Sequence, residues 1–411
     1  MEKSIKRFVK VFPWYIGFSS DLLFYIAIDT LFLSLVKNFS PAQIVSLASL
    51  SQLACIVLQF PVLFVIKKIG NTASVRTGAS LLFLSSILIT AGQSYAIILL
   101  GRFLHDAAGM FRNASFVALE NNLEKAGMRS EFVPLRTSGN TVYSVITMLI
   151  SFVASYMFNL DPYFPMICCI IACGVGFILS LMMKDCSDYN KISDAAKPTK
   201  RVKIRYGGFI ALVMIVYSLF YPIVTNGQNE GKLFIQQQLL LDFDVEKTAL
   251  IIGAIVCISR IVRVCSNVVF AKLYQKYQAK MGVVLPVLLG SAIGCLLFGS
   301  LIPWVIGKIL VMGLGYTIIL FARDPFNLFI QDVVFENTPK EQHQTLLAAL
   351  GLGVRIVGAG TGLIFSAILL DQPMIVVMAI MFAISALEVL LSLKLYRAIM
   401  RGKEGPIGEC I

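Results

Sequence analysis

Two aspartates, Asp21 and Asp29, interrupt an apolar run long enough to cross a bilayer. Arg102, His105, Asp106 and Arg112 interrupt another. An ionisable side chain at membrane depth costs at least about 2.5–3.5 kcal/mol on insertion scales, so it faces a partner or a water-filled cavity. On a helix rising 1.5 Å per residue, Asp21 and Asp29 lie about 12 Å apart and about 80° round the axis, so both can face one broad side. Counting heights from the ends of the two runs pairs Asp29 with Arg102 and Asp21 with Arg112. Burial disfavours an ionised carboxylate and a nearby guanidinium favours it, so an aspartate that exchanges an arginine for a proton is a simple coupling device. A static ion pair between the runs, or an Arg102–Asp106 pair one turn apart, is the plainer alternative. His105 is one of only two histidines, and it serves either as a proton relay or as a structural side chain.

The second half of the chain offers cations. Arg260 and Arg263 share a helical face at i, i+3 spacing, Arg355 sits in a later run, and Glu388 is the one acid expected at depth there. A guanidinium keeps its proton, and its fork suits carboxylate or phosphate. These arginines therefore make either a site for an anionic or zwitterionic solute or a set of gate residues bonded to carbonyls. Tyr143, Tyr217, Tyr221 and Asn226, with Gln228 and Asn229 just beyond, add polar groups that line a cavity or form an interfacial aromatic belt. The glycines from Gly351 to Gly362 superficially resemble a phosphate loop. Such a loop needs a preceding strand, so close helix packing is the expectation.

No nucleophile–base constellation and no ATP-binding loop is present, so an enzyme is not expected. The nine cysteines form no CxxC pair or Cys–His spacing, so neither a metal nor a cofactor is expected. Cys410 is not placed as a prenylation box.

The elements that position these groups follow from hydropathy. The chain is 57% hydrophobic and 14% charged, with a mean hydropathy of +0.81, against about 25% charged residues in a soluble domain. Twelve apolar runs read as helices at 12–36, 42–66, 77–95, 97–119, 138–158, 162–183, 207–226, 247–270, 281–301, 303–322, 344–368 and 373–396. The fold class is an all-α membrane protein. It divides into a six-helix bundle at 1–183, a basic cytoplasmic linker at 184–205, a second six-helix bundle at 206–398 and a tail at 399–411. Phe39–Gln43 and Phe243–Lys247 enter the second and eighth helices alike, half a chain apart, as an internal repeat would. Asp324 and Pro325 look like a helix start, so Phe326, Phe329, Ile330, Val333 and Val334 are expected on a short amphipathic surface helix.

The net charge of +12 does not indicate nucleic acid, because the cations lie in alternate loops. About 25 of the 35 Lys and Arg fall on the face holding both termini, which the positive-inside rule makes cytoplasmic. The basic amino terminus mimics a secretory signal but reads as the first membrane helix. Short loops suit a bacterial inner membrane, and a monomer is expected.

Several segments resemble the major facilitator superfamily. Lys68 and Gly70 match its loop between helices two and three, G-x-x-x-D-R-x-G-R-R, whose leading glycine and aspartate are Leu63 and Lys67 here. Gly101, Arg102 and Phe103 are similar to its R-F-x-x-G-x-G segment, with Asp106 at a usual glycine position, and Arg323–Gln342 is similar to its loop between helices ten and eleven. Gly139–Asn159 lacks the glycine- and proline-rich pattern of the drug exporters. The resemblance implies two bundles that rock about a central site, with helices one, four, eight and eleven lining it. The expected function is proton-coupled secondary transport of a small anionic or amphiphilic organic solute. Amphiphile or drug efflux is the alternative on the same fold, and a non-transporting receptor is a further one.

Overall fold

Inside hydrocarbon every backbone N–H and C=O has to pair within its own segment, and the chain meets that demand with helices throughout. The computed structural model describes residues 2–186, 207–338 and 340–404, and no β-strand occurs among them. Two units form, Met1–Lys200 with Ala249–Ala254, and Arg201–Thr248 with Ile255–Ile411. Residues 187–206, most of the expected linker, lie outside the described residues.

The first unit holds α1 (Glu2–Ser19), α2 (Tyr25–Leu31, continuing as a π-helical turn Phe32–Val36), α3 (Pro41–Ala91), α4 (Tyr95–Arg112), α5 (Ala114–Lys125), α6 (Phe132–Leu160) and α7 (Phe164–Leu181). The second contains α8 (Gly208–Leu239), α9 (Val245–Tyr277, apart from Ala249–Ala254), α10 (Met281–Gly299), α11 (Val305–Asn337), α12 (Lys340–Ile368) and α13 (Met374–Glu404). Nine of these are long and apolar enough to cross a membrane among the described residues. Counted as crossings they make twelve: α3 is two spans in one, and α1–α2 and α4–α5 are single spans interrupted by breaks.

Two starts show the chemistry of a cap. Ser40 and Gln43 form a reciprocal capping box before Pro41, the first residue of α3. Asp244 accepts the Lys247 N–H at the start of α9, which holds its carboxyl below the usual range. At 51 residues, α3 would run about 77 Å if straight, twice what a bilayer needs. It turns at Gly70, whose φ of 81° and ψ of 169° belong to a region open essentially only to glycine. The residues after the turn hold the beginning of the linker: Asp185 accepts from Asn71 at 2.7 Å and Asn121 at 3.0 Å, and its backbone N–H donates to Thr72.

The first unit's core packs Phe8, Phe12, Tyr15 and Ile16 of α1 against Val75 and Ala79 of α3 and Leu119 and Leu123 of α5. In lipid an apolar outer surface carries no penalty, and Phe60 and Phe64 of α3 are 77% and 69% exposed.

The structure corrects several expectations. The first span begins at Glu2 and breaks after Ser19, and the fourth breaks at Asn113. The seventh continues to Leu239, so Gln228, Asn229 and the buried Glu230 are helical. There is no separate surface helix after the tenth. Pro325 lies inside α11, and Phe326, Phe329, Ile330, Val333 and Val334 are buried. The buried stripe of Tyr316, Ile319 and Leu320 passes through Pro325 into these residues, and Phe326 stacks on Phe220 at 3.7 Å. Packing on both sides of the proline outweighs its local signal. Among the glycines near Arg355, a Cβ at Gly353 would run into Ser218, but one at Gly351 or Gly360 would meet nothing. Close packing therefore explains only part of that run.

Replacing Gly70 by alanine should destabilise the protein by about 1–3 kcal/mol, read as a lower melting temperature in detergent. Gly109→Ala is the control, because a Cβ there meets open space in a helix. Equal melting temperatures for the two variants would remove the strained turn from the argument.

Candidate functional site

The break between α1 and α2 places Asp21 in unwound backbone from Ser20 to Phe24. Unwinding releases carbonyls that water cannot reach in a membrane, so they need donors from elsewhere. Arg112, at the end of α4, donates to the Ser19 carbonyl at 3.1 Å and to the Ser20 carbonyl at 2.5 Å. A cation at a helix C-terminus also opposes the negative end of the helix dipole. Asp21 turns one oxygen back to the Leu22 N–H at 2.8 Å.

On α4, Arg102, His105, Asp106 and Gly109 share one face at i, i+3, i+4 and i+7. His105 spans two carboxylates, with Nε2 3.0 Å from Asp21 Oδ1 and Nδ1 3.1 Å from Asp106 Oδ1. Ser51 of α3 donates to the other Asp106 oxygen. Tyr143 of α6 donates to Asp21 Oδ2 at 3.3 Å. One network therefore ties the unwound junction to α3, α4 and α6. Arg102 stands within electrostatic range of Asp106, Tyr25, Asp29 and Asp21. His105 is 17% exposed and both aspartates 25%, so the cluster is neither sealed nor open.

The expected Asp21–Arg112 pairing changes. Arg112 serves the backbone and not Asp21, because the break exposes carbonyls that compete for its fork. Arg102 lies within electrostatic range of both Asp29 and Asp106, the latter one turn away on the same helix. Asp29 also accepts the Thr30 N–H at 2.7 Å. Tyr143, expected with the solute residues, joins the acidic cluster.

In the second unit the expected cationic wall is partly closed. Arg263 grips Asp324 of α11 with two bonds, 2.8 and 3.1 Å, a bidentate pair that consumes the fork. Asp324 belongs to a helix interior, not a surface loop, so Glu388 is not the one deep acid: Glu230 and Asp324 join it. Arg260 has a buried Nε without an acceptor. Arg355 is half-buried on α12. Tyr217 donates to Asn327 at 2.8 Å, and Tyr221 lies 5.9 Å from the Arg323 guanidinium. Asn226, nine residues beyond Tyr217, faces about 180° away and bonds Thr361 at 3.0 Å as a tie between helices.

Ser51, Arg323, Asp324, Asn327 and Gln331 escaped the sequence reading. The signal for the α11 residues was their i, i+4, i+8 spacing, masked by the proline.

A family model described as Major Facilitator Superfamily matches residues 14–362. Among solved structures, a mutant of the nucleoside transporter NupG superposes with a TM-score of 0.72 at 12% identity, covering 97% of this chain and 99% of that one. A bacterial homologue of the iron transporter ferroportin, in an inward-facing state, gives 0.67 at 12% identity, covering 96% and 99%. NupG itself gives 0.65 at 14%, covering 97% and 98%. No curated protein matches the sequence.

Arg112→Gln should cost about 1.5–3 kcal/mol of stability, the range for hydrogen bonds from a charged donor, and should speed amide exchange across residues 22–26. A uniform change over all helices, with no excess at the break, would show that Arg112 does not hold the junction.

Proposed function

Because this chain belongs to the Major Facilitator Superfamily, we propose that it is a proton-coupled secondary transporter whose protons are carried by the Asp21–His105–Asp106 cluster. Membership makes it a multi-pass membrane transporter of a small-molecule solute and not an enzyme. The supporting observation is that one imidazole contacts two carboxylates with its two nitrogens. Each N···O contact near 3 Å needs a proton between its atoms. The cluster as built therefore holds two protons, as an imidazolium between carboxylates or an equivalent arrangement. Removal of one leaves two lone pairs facing each other, and one contact opens. If the Asp21 contact opens, the unwound segment loses one of its ties to α4, and only the Arg112 bonds to the Ser19 and Ser20 carbonyls still hold it to that helix. Proton loss is thereby coupled to movement of the first span, which is the kind of two-state element that alternating access needs. This replaces the aspartate–arginine exchange with an aspartate–histidine exchange, with Arg102 nearby to stabilise the ionised acids.

One proton moving down 100 mV supplies about 2.3 kcal/mol, enough for about 40-fold accumulation of an uncharged solute at 1.4 kcal/mol per tenfold. A metal-ion cargo has less support, because the two carboxylates flank the imidazole on opposite nitrogens and do not converge. No metal-like group of three such side chains occurs among the described residues. The loop charges support cytoplasmic termini in a cell (inner) membrane, and the chain works as a monomer in this reading.

Two measurements test the coupling. In proteoliposomes, His105→Gln should abolish solute accumulation driven by a pH gradient and retain counterflow of the same solute. Without any solute, amide exchange across residues 22–26, corrected for the intrinsic pH dependence, should quicken as pH rises in the parent protein and not in His105→Gln. Full gradient-driven uptake by the variant would refute the proposal.

A further inference from the structure

On α8, Tyr217, Tyr221 and Gln228 lie on one face, because eleven residues make just over three full turns. On α11, Arg323, Asn327 and Gln331 follow at i, i+4 and i+8. The two faces meet inside the second unit. Tyr217 donates to Asn327 Oδ1 at 2.8 Å, Gln331 Nε2 donates to the same oxygen at 3.2 Å, and Arg323 donates to Gln228 Oε1 at 3.1 Å. The Tyr217 and Tyr221 rings are 5.4 Å apart and tilted by 44°.

What these bonds leave over is informative. Asn and Gln each carry one acceptor oxygen and two N–H donors. The Asn327 oxygen is used twice, and its amide nitrogen donates to no acceptor among the described residues. Gln331 has spent its nitrogen and keeps its oxygen. Gln228 has spent its oxygen and keeps its nitrogen. All three residues are half-buried, so these atoms are reachable. A free N–H₂ and a free C=O, one helical turn apart, lie beside an aromatic pair. The same donor–acceptor edge is what an amide side chain presents to the edge of adenine. A carboxylate or phosphate has acceptors only, and the open Gln331 oxygen would repel it. The Arg263 fork is already closed on Asp324, and Arg323 on this face is bonded to the Gln228 oxygen.

We propose that this face binds an uncharged planar ring that carries a hydrogen-bond donor and acceptor side by side, a nucleobase-type heterocycle, free or as its riboside. The ring stacks on Tyr221 and Tyr217, while Asn327 and Gln331 read its edge. The proposal rests on the transport reading for its purpose and replaces the anionic solute expected from the arginines.

Purified full-length protein would be screened by thermal shift and titration calorimetry against adenine, uracil, adenosine and uridine, with benzoate and benzylamine as planar charged controls. At least one heterocycle should raise the melting temperature, since a ligand that binds only the folded state stabilises it, and the charged rings should not. Loss of one stacking ring in Tyr221→Leu should weaken binding roughly 5- to 100-fold. Asn327→Ala should weaken it by at least about 10-fold, and Tyr217→Phe, which keeps the ring, by less. The exposed Cys265→Ser is the control for handling. Binding of benzoate in preference to the heterocycles, no binding of any heterocycle to the parent protein, or unchanged affinity in both Tyr221→Leu and Asn327→Ala would each overturn the proposal. None of these results bears on the pH dependence of exchange at residues 22–26, so the coupling reading stands or falls separately. Conversely, heterocycle binding with no flux in proteoliposomes would leave this site intact and remove the transport reading.

Discussion

A backbone carbonyl that leaves its helix inside a bilayer must find a donor, and that requirement organises the first unit. The first span unwinds at Ser20–Phe24, in the middle of an otherwise apolar run. Arg112 brings the donors from the end of α4. Asp21 is left free to turn toward His105 because the arginine opposite it is occupied with the chain itself. The same arginine is thus a structural group.

The second unit solves its charge problem differently. Arg263 and Asp324 neutralise one another in a two-pronged pair, and Lys308 pairs with Asp242 at 2.7 Å. A buried pair of this kind is weak evidence of stability, since desolvation offsets much of the attraction. Its consequence is that Arg263 and Asp324 answer each other's charge within the unit. The face proposed to read a solute combines amides and phenol rings with the Arg323 guanidinium, which is bonded to Gln228. A site built to bond a donor or acceptor rejects an analogue lacking it far more strongly than an apolar pocket rejects a missing methylene.

Glu230 and Glu388 stand outside both networks. Each is almost fully buried and has one carboxyl oxygen without a partner. Glu388 accepts from Ser392 at 3.2 Å. Both lie where lone pairs meet apolar side chains, which sets them apart from the bonded acids of the first unit.

Hydropathy alone determined the multi-pass, all-helical class, because a span must be about 20 apolar residues long whatever it packs against. It also identified Asp21, Arg102, His105, Asp106 and Arg112 as the polar groups of the first half, since a charge at depth is visible without knowing its partner. Tertiary structure decided the partners. Heights along ideal helices paired Asp21 with Arg112, but a five-residue break shifts the register and gives the backbone first claim on the guanidinium. Pro325 read locally as a helix start, and the continuous buried stripe of α11 overrode it, bringing Asp324, Asn327 and Gln331 to the inner helices. Pattern sees which residues avoid lipid. Which of them touch depends on where the helices bend, and that is set by packing between segments far apart in the chain.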